Sequence, residues 1–111
     1  MIAREQQFAE KLHAYTLPRS SANSRVKDLV DMALLIGSGG LDRQRVLKAL
    51  HLTFERRATH SLPASLVPPP VEWQVPFRAL AEESRLPGDL AAVFADVQEF
   101  LNEVGAQSTE R

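Results

Sequence analysis

Charged residues at helical spacing are concentrated in two neighbouring stretches near the start of the chain. Asp28 and Asp31 are three residues apart and share one side of a helix. A short connection makes the two stretches antiparallel neighbours, which brings Lys11 towards these carboxylates. A lysine that neutralises triphosphate charge and a carboxylate that orients a nucleophile suit phosphoryl or nucleotidyl transfer. Spacing alone favours a structural interpretation instead, in which residues such as Arg25–Asp28 and Lys27–Asp31 form ion pairs on a solvated helix face.

Apolar residues recur with the 3.6-residue period of an α-helix along most of the chain, and no stretch keeps the two-residue period of a strand. Five helices are predicted. The predicted class is therefore all-α, with about five helices in a small bundle and a proline-rich strap between helices 3 and 4. The predicted helices cover about residues 5–17, 24–36, 42–57, 77–81 and 87–105.

Capping residues place the ends of the second and third helices. Asn23 or Ser24 is expected to cap the second helix, and the glycine-rich stretch 37–40 is expected to end it. Asp42 is the predicted cap of the third helix. The apolar residues 34–36 indicate that the second helix ends deeply buried.

The strap is predicted over residues 58–76, which hold five of the seven prolines, including the run 68–70. Proline removes a backbone donor and fixes φ, so no helix or central strand is expected within this segment. Trp73 is interpreted as the packing anchor that fastens the strap to the helical body. In the fifth helix, Pro87 is placed in the first turn and Gly105 at the end.

The composition of the 111 residues is that of a single small domain, because 44% apolar residues suffice for one modest core. We expect one helical domain over residues 1–105 and a polar tail over 106–111. The net charge of -1 gives no overall attraction to nucleic acid or anionic lipid. The absence of cysteine excludes disulfides and thiolate nucleophiles. No stretch reaches the roughly 18 to 20 apolar residues of a membrane span, so no membrane association and a cytoplasmic location are expected.

Two further groups of residues receive structural interpretations. His13, His51 and His60 lack the spacing of a helical metal site and are expected to be surface or partly buried residues, so no metal ligands are assigned. Arg56 and Arg57 end the third helix, where cations offset the helix dipole.

Four segments resemble a known family. The sequence EKLHAYT at 10–16 and the sequence NSRVKDLVDMALL at 23–35 resemble the third and fourth motifs of the AbiEii/AbiGii nucleotidyltransferase toxins, the toxin half of type IV abortive-infection systems. Segments 41–63 and 68–83 are similar to the helical region that follows those motifs. The resemblance extends over about residues 4–104.

The resemblance implies a reaction and a role for each matching residue. In that family a nucleotide is transferred from a nucleoside triphosphate, with Mg2+, to an acceptor such as the end of tRNA. Lys11 resembles the lysine that contacts the triphosphate, and Asp28 or Asp31 resembles the catalytic carboxylate. Arg25 and Lys27 are the phosphate-binding candidates. A cognate antitoxin and RNA are the partners that the resemblance implies.

The chain departs from the family pattern at the metal site. The family's glycine-serine motif, with its paired metal-binding aspartates, lies upstream on a strand and turn. Gly37-Ser38 followed by Asp42 is superficially similar, but no strand precedes it and Gln44 stands where the second carboxylate belongs. A helix C-cap followed by an N-cap explains these positions.

The expected function follows from this departure. The chain is interpreted as the C-terminal helical segment of an AbiEii-like toxin, inactive alone, with no cofactor of its own and dependent on a separate N-terminal nucleotidyltransferase chain. The alternative is a non-catalytic helical interaction module that binds a partner protein or RNA, for which an exposed apolar patch is the expected mark.

Overall fold

Helices make up most of the computed structural model, which describes residues 3–17, 22–63 and 65–109. Within those residues there are five α-helices and no strand, which confirms the all-α prediction. The helices are α1 (Arg4–Thr16), α2 (Ala22–Gly37), α3 (Arg43–Arg57), α4 (Gln74–Ser84) and α5 (Leu90–Thr109), with a 3-10 turn at Val71–Trp73 that leads into α4.

One apolar core holds the helices together. α1 packs against α2 and α3, α5 packs against both of these, and α4 packs against α2. The rings of Phe8 on α1 and Phe100 on α5 meet edge to face with their centroids 5.2 Å apart. The apolar stripes predicted from the sequence supply many of the fully buried side chains, among them Leu12, Leu29, Val46, Leu50, Phe77 and Val97, and Met32 on α2 is fully buried as well.

Both ends of α2 differ from the sequence prediction. The helix begins at Ala22, so Asn23 and Ser24 lie inside its first turn and the predicted caps were wrong. At the other end Leu34 is 37% exposed, and Leu35 and Ile36 are partly buried. Successive helix residues are rotated by about 100°, so three consecutive apolar residues cannot all face one core. The prediction of a deeply buried end was therefore wrong.

The connection between α2 and α3 has the predicted capping structure. Gly39 and Gly40 adopt positive φ angles of 75° and 83°, which glycine tolerates without a steric cost. The Asp42 carboxylate accepts hydrogen bonds from the backbone N–H groups of Gln44 and Arg45, at 2.9 and 3.1 Å. The structural interpretation of this glycine- and aspartate-containing stretch is confirmed.

α4 begins inside the segment that was predicted to exclude a helix. It starts at Gln74 and includes Pro76 in its first turn. The first N–H groups of a helix have no partner within it, so a proline there removes no hydrogen bond. The strap is therefore shorter than the predicted range 58–76.

α5 starts later and ends later than expected. Asp89 is the N-terminal cap and accepts from the N–H groups of Ala91 and Ala92, at 3.1 and 3.3 Å. Pro87 precedes this cap and is not in the helix. The helix also runs through Gly105 to Thr109, so the predicted end was wrong; residues 110–111 of the predicted tail lie outside the described residues. A glycine in a helix costs only about 1 kcal/mol, which did not suffice to end α5.

Contacts at Leu66 and Trp73 help to fasten the strap to the body. Leu66 is buried, and its backbone N–H donates to the side-chain carbonyl of Gln98 on α5 at 2.8 Å. Trp73 meets Tyr15 of α1 edge to face, with ring centroids 6.2 Å apart and the planes at 84°. The predicted anchoring role of Trp73 is confirmed. None of the described helices combines the length and hydropathy required of a membrane span.

Candidate functional site

The side chains of Lys11, Asp28 and Asp31, here called the Lys11 cluster, meet between α1 and α2. Lys11 Nζ lies 2.8 Å from Asp31 Oδ2 and 3.8 Å from Asp28 Oδ1. The short connection between two amphipathic helices predicted this juxtaposition, and the distances confirm it. The three groups expected to act together are therefore within contact distance.

Antiparallel packing of α1 and α2 places the cluster. Arg4 near the start of α1 donates to the carbonyl of Leu35 near the end of α2, at 3.1 Å. Arg25 near the start of α2 donates to the carbonyl of Leu17 just beyond α1, at 2.7 Å. These contacts fix the register of the two helices on either side of Lys11.

Apolar neighbours hold the charged side chains at the edge of the core. Leu12 and Leu29 directly follow Lys11 and Asp28 in sequence, and both leucines are fully buried. The depth of the charged groups differs, since the Lys11 side chain is 37% exposed, that of Asp31 is 29% exposed and that of Asp28 is 12% exposed. The cluster therefore has one accessible carboxylate and one that is largely withdrawn from water.

This difference in burial changes the acid–base properties of the cluster. The hydrogen bond to Asp31 raises the pKa of Lys11, and the charges of both aspartates add to this effect against partial desolvation. Burial raises the pKa of Asp28, and the positive charges of Lys11 and Lys27 offset only part of that rise. Lys11 is thus a firmly charged cation next to a carboxylate with increased proton affinity.

The cluster opens onto a shallow groove that a ligand can reach. Gln7, Leu34 and Leu35 complete the lining of this groove beside Lys11 and Asp31. Its volume is about 360 Å³. The partly exposed Leu34 gives the groove an apolar wall beside its charged floor.

The two weaker phosphate-binding candidates lie outside the cluster. Arg25 is one turn before Asp28 on α2 and reaches the carbonyl of Leu17. Lys27 is exposed, and its charge acts on Asp28 through space. Neither cation is within ion-pair distance of the cluster's carboxylates among the salt bridges of the described residues.

A magnesium ion does not fit the Lys11 cluster. The Lys11 ammonium contacts both carboxylates, offsets one of their two negative charges and would repel a dication placed between them. Among residues 3–17, 22–63 and 65–109, no group of three or more histidine, cysteine, aspartate or glutamate side chains is arranged to hold a metal. Any magnesium chemistry therefore requires carboxylates other than those of the cluster.

The structure also brings together two histidines that the sequence analysis treated as separate. The rings of His13 on α1 and His60 in the strap have centroids 4.7 Å apart. His13 is 5% exposed, so its prediction as a surface or partly buried residue was wrong, whereas His60 is half-buried and His51 exposed as expected. The placement of His13 four residues after the buried Ala9 was a signal that it faces the core.

A cavity beside α1 was missed entirely. It has a volume of about 380 Å³ and lies between the C-terminal end of α1, the start of α2 and the strap. Tyr15, Arg25, His60 and Trp73 contribute to its walls, together with prolines of the strap. We call it the Trp73 pocket. Nothing periodic in the strap predicts its path, so no sequence signal could have indicated this cavity.

Comparison with known proteins identifies the family. A family model described as "Nucleotidyl transferase AbiEii toxin, Type IV TA system" matches residues 1–109. Searches of curated proteins and of solved structures found no significant match to this chain. The matched region includes the whole Lys11 cluster and every helix described above. The chain belongs to the AbiEii nucleotidyltransferase toxin family of type IV toxin–antitoxin systems.

Proposed function

We propose that this chain supplies the triphosphate-contacting lysine and a catalytic carboxylate for nucleotidyl transfer to an RNA acceptor such as tRNA. The observation that carries the proposal is the placement of Lys11 Nζ between Asp31 and Asp28, at 2.8 and 3.8 Å, beside an open groove. Membership of the AbiEii family supports the reaction class.

Lys11 is the proposed phosphate contact. Without a substrate its ammonium is held by Asp31, which keeps the side chain ordered at the mouth of the groove. A nucleoside triphosphate offers several negative charges to the same ammonium, and the partial exposure of Lys11 allows it to turn towards them. The ion pair thus positions the lysine before the substrate arrives.

Asp28 is the proposed general base. In the reaction an acceptor hydroxyl attacks the α-phosphorus, the P–O bond to the β-phosphate breaks, and pyrophosphate leaves. The hydroxyl proton passes to the base. A carboxylate is a better proton acceptor when its pKa is raised, and burial raises the pKa of Asp28. Asp31, which is more exposed, is proposed to position Lys11.

The magnesium-binding carboxylates are proposed to come from a nucleotidyltransferase domain outside the described residues. The poor fit of magnesium to the Lys11 cluster supports this division of the site. With the domain supplied as a separate chain, the groove beside Lys11 and Leu34 would face the nucleotide. Arg25 and Lys27 remain candidates for further phosphate contacts.

A reconstitution experiment tests the proposal. The purified chain is incubated with magnesium, labelled nucleoside triphosphates and bulk tRNA, with and without a nucleotidyltransferase domain from a related toxin. Label transfer only in the mixture, abolished by Lys11→Ala and retained by Lys48→Ala, supports it. Lys48 is an exposed lysine on α3 and serves as the matched control. Transfer by the chain alone would show that the assignment of the metal site is wrong.

The same assay separates the two aspartates. Asp28→Asn is expected to lower the rate by about 100-fold or more, because general base catalysis typically contributes about 10²–10⁴-fold. Asp31→Asn should have a smaller effect, since Lys11 keeps its charge. Equal losses in both variants would contradict the assignment of the base.

The second candidate function is a non-catalytic interaction module. Val67, Val71 and Val75 are 82%, 83% and 79% exposed and are four residues apart across the strap, the 3-10 turn and the start of α4. Three exposed apolar side chains in one short segment favour contact with a partner, and membership of the toxin–antitoxin family supports an antitoxin as that partner. Replacement of all three valines by serine should abolish binding to a co-expressed antitoxin if this function holds. Undiminished binding would count against it.

A further inference from the structure

The residues that line the Trp73 pocket are suited to a flat, partly polar ligand. The Trp73 ring is half-buried and stands nearly perpendicular to that of Tyr15. Prolines of the strap form an apolar wall, and the half-buried His60 adds a third ring. The cavity of about 380 Å³ is partly enclosed by these groups. Apolar and aromatic walls with a few polar groups are typical of small-molecule and cofactor sites.

Tyr15 is the polar group that points to a ligand. The residue is 5% exposed, and its hydroxyl has no hydrogen-bond partner among residues 3–17, 22–63 and 65–109. Every fully buried side-chain oxygen and nitrogen in those ranges is hydrogen-bonded, so the Tyr15 hydroxyl keeps some accessible surface, and Tyr15 lines the pocket. A nearly buried hydroxyl that faces a cavity is a donor and acceptor available to an occupant.

The hydroxyl stays protonated at physiological pH. Burial raises the pKa of Tyr15 to about 12, and the charge of Arg25 opposes only part of this effect. Arg25 lines the same pocket and supplies a positive charge there. The pocket therefore combines aromatic surface, a neutral hydroxyl and a cation.

The pocket lies about one helical turn from the Lys11 cluster along both α1 and α2. Tyr15 is four residues after Lys11 on α1, and Arg25 is three residues before Asp28 on α2. Both steps are about one helical turn, roughly 6 Å along the axis for four residues and roughly 4.5 Å for three. A ligand with a planar end and a phosphorylated end can therefore contact both places.

We infer that the Trp73 pocket binds a nucleobase, which packs on Trp73 and forms a hydrogen bond with the Tyr15 hydroxyl, while its phosphate lies towards Arg25. The inference rests on the proposed function and adds a base-binding subsite to it. Bases stack on aromatic side chains, and an aromatic face combined with a cation is a common arrangement for single nucleotides. The base belongs to the donor triphosphate or to the unpaired end of the acceptor RNA.

Trp73 is the only tryptophan in the chain and reports directly on the pocket. Its fluorescence is measured during titration of the full chain, without magnesium, with AMP, GMP, CMP and UMP, with ribose 5-phosphate as the ligand that lacks a base. The expected result is saturable quenching by at least one nucleotide, with binding at least 10-fold tighter than that of ribose 5-phosphate. Isothermal calorimetry gives a second readout that does not depend on the indole.

Tyr15→Phe is the informative variant because it removes only the hydroxyl. Binding of the preferred nucleotide should weaken by about 10-fold, the typical effect of a lost hydrogen bond, with an unchanged circular dichroism spectrum. Leu52→Ala, on the exposed face of α3, is the control and should bind as the unmodified chain does.

Two further ligands identify the source of the base. Tighter binding of a nucleoside triphosphate than of a trinucleotide assigns the pocket to the donor, and the reverse order assigns it to the acceptor; both support a nucleobase site. Equal affinity for ribose 5-phosphate, an unchanged affinity in Tyr15→Phe, or neither quenching nor heat with any nucleotide would overturn it. Monophosphate binding requires no transfer, so a failed transfer assay with intact binding would refute the proposed function alone.

Discussion

The imidazole of His13 on α1 lies against the imidazole of His60 in the strap, with ring centroids 4.7 Å apart and planes inclined by 39°. Two threonines complete the contact. His13 Nε2 is 2.7 Å from Thr59 Oγ1, and His60 Nε2 is 2.7 Å from Thr16 Oγ1. The strap is thus joined to α1 by a reciprocal pair of histidine–threonine hydrogen bonds, beside the Trp73 pocket.

Stability should rise with pH because of His13. Burial, and then the charges of His60 and Arg57, lower the pKa of His13 from its ordinary value of 6.5, while Glu10 opposes them weakly. Between the lowered pKa and 6.5 the unfolded chain binds more protons than the folded chain, so protonation favours unfolding. The stabilisation is complete above pH 6.5 and is lost as the pH falls through the folded pKa.

The measurement is the urea midpoint at several pH values between about 5.5 and 7.5, a range chosen to include the unperturbed histidine pKa. His13→Gln should reduce the slope of midpoint against pH. His51→Gln, at an exposed position on α3, should leave it unchanged. The same slope in the His13→Gln variant and the unmodified chain would contradict the assignment.

The Gln98 side chain should stabilise the strap locally. Gln98→Ala removes the acceptor of the Leu66 N–H, which is bonded at 2.8 Å and belongs to a buried residue. The expected loss in the free energy of unfolding is about 1 kcal/mol, with faster amide hydrogen exchange at Leu66. Glu99→Ala, at the exposed neighbouring position, is the control. Unchanged exchange at Leu66 in Gln98→Ala would refute this role.

Substitution at Leu29 should unfold the chain, whereas substitution at the neighbouring Asp28 should not. Leu29→Asp places a carboxylate at a fully buried position and should cost about 4 kcal/mol or more, enough to unfold the chain. Asp28→Ala removes a charge that is held partly out of water and should leave helicity intact. Circular dichroism separates the two, and an equal loss of helicity would refute the assignment of the faces of α2.

The Lys11–Asp31 pair should contribute little to stability. More than a third of the Lys11 side chain is exposed, and solvent screens such pairs. A double-mutant cycle with Lys11→Ala and Asp31→Ala should give a coupling of about 0.5 kcal/mol in urea denaturation. A coupling above about 2 kcal/mol would indicate a structural role instead of the proposed functional one.

Local patterns in the sequence predicted the helices and the Lys11 cluster. Asp28 and Asp31 share a face because of helix periodicity. The short connection between α1 and α2 makes the two helices pack antiparallel, which places Lys11 beside the two aspartates. The errors in the helices were at their ends, because several neighbouring residues are able to cap a helix and the sequence alone does not show which one does. Asp89 caps the start of α5, two residues after Pro87, which was predicted to lie in the first turn. Gly105 lies inside α5 and does not end it.

Contacts of the strap could not be predicted in the same way. The position of His60 beside His13, and of Trp73 beside Tyr15, depends on the path of a segment without periodicity. That path is fixed by single contacts such as the Leu66–Gln98 hydrogen bond, which joins residues far apart in sequence. The Trp73 pocket exists only because of this path, so it became visible only in three dimensions.

The Lys11 cluster and the Trp73 pocket are therefore expected to form at different times during folding. Lys11 and Asp31 belong to one helical hairpin, so their contact closes a short loop and is expected to form early. The Trp73 pocket needs the strap to be in place, and the contacts of the strap close much longer loops. A nascent chain with only α1 and α2 paired would hold the charged cluster before it has any wall for an aromatic ligand.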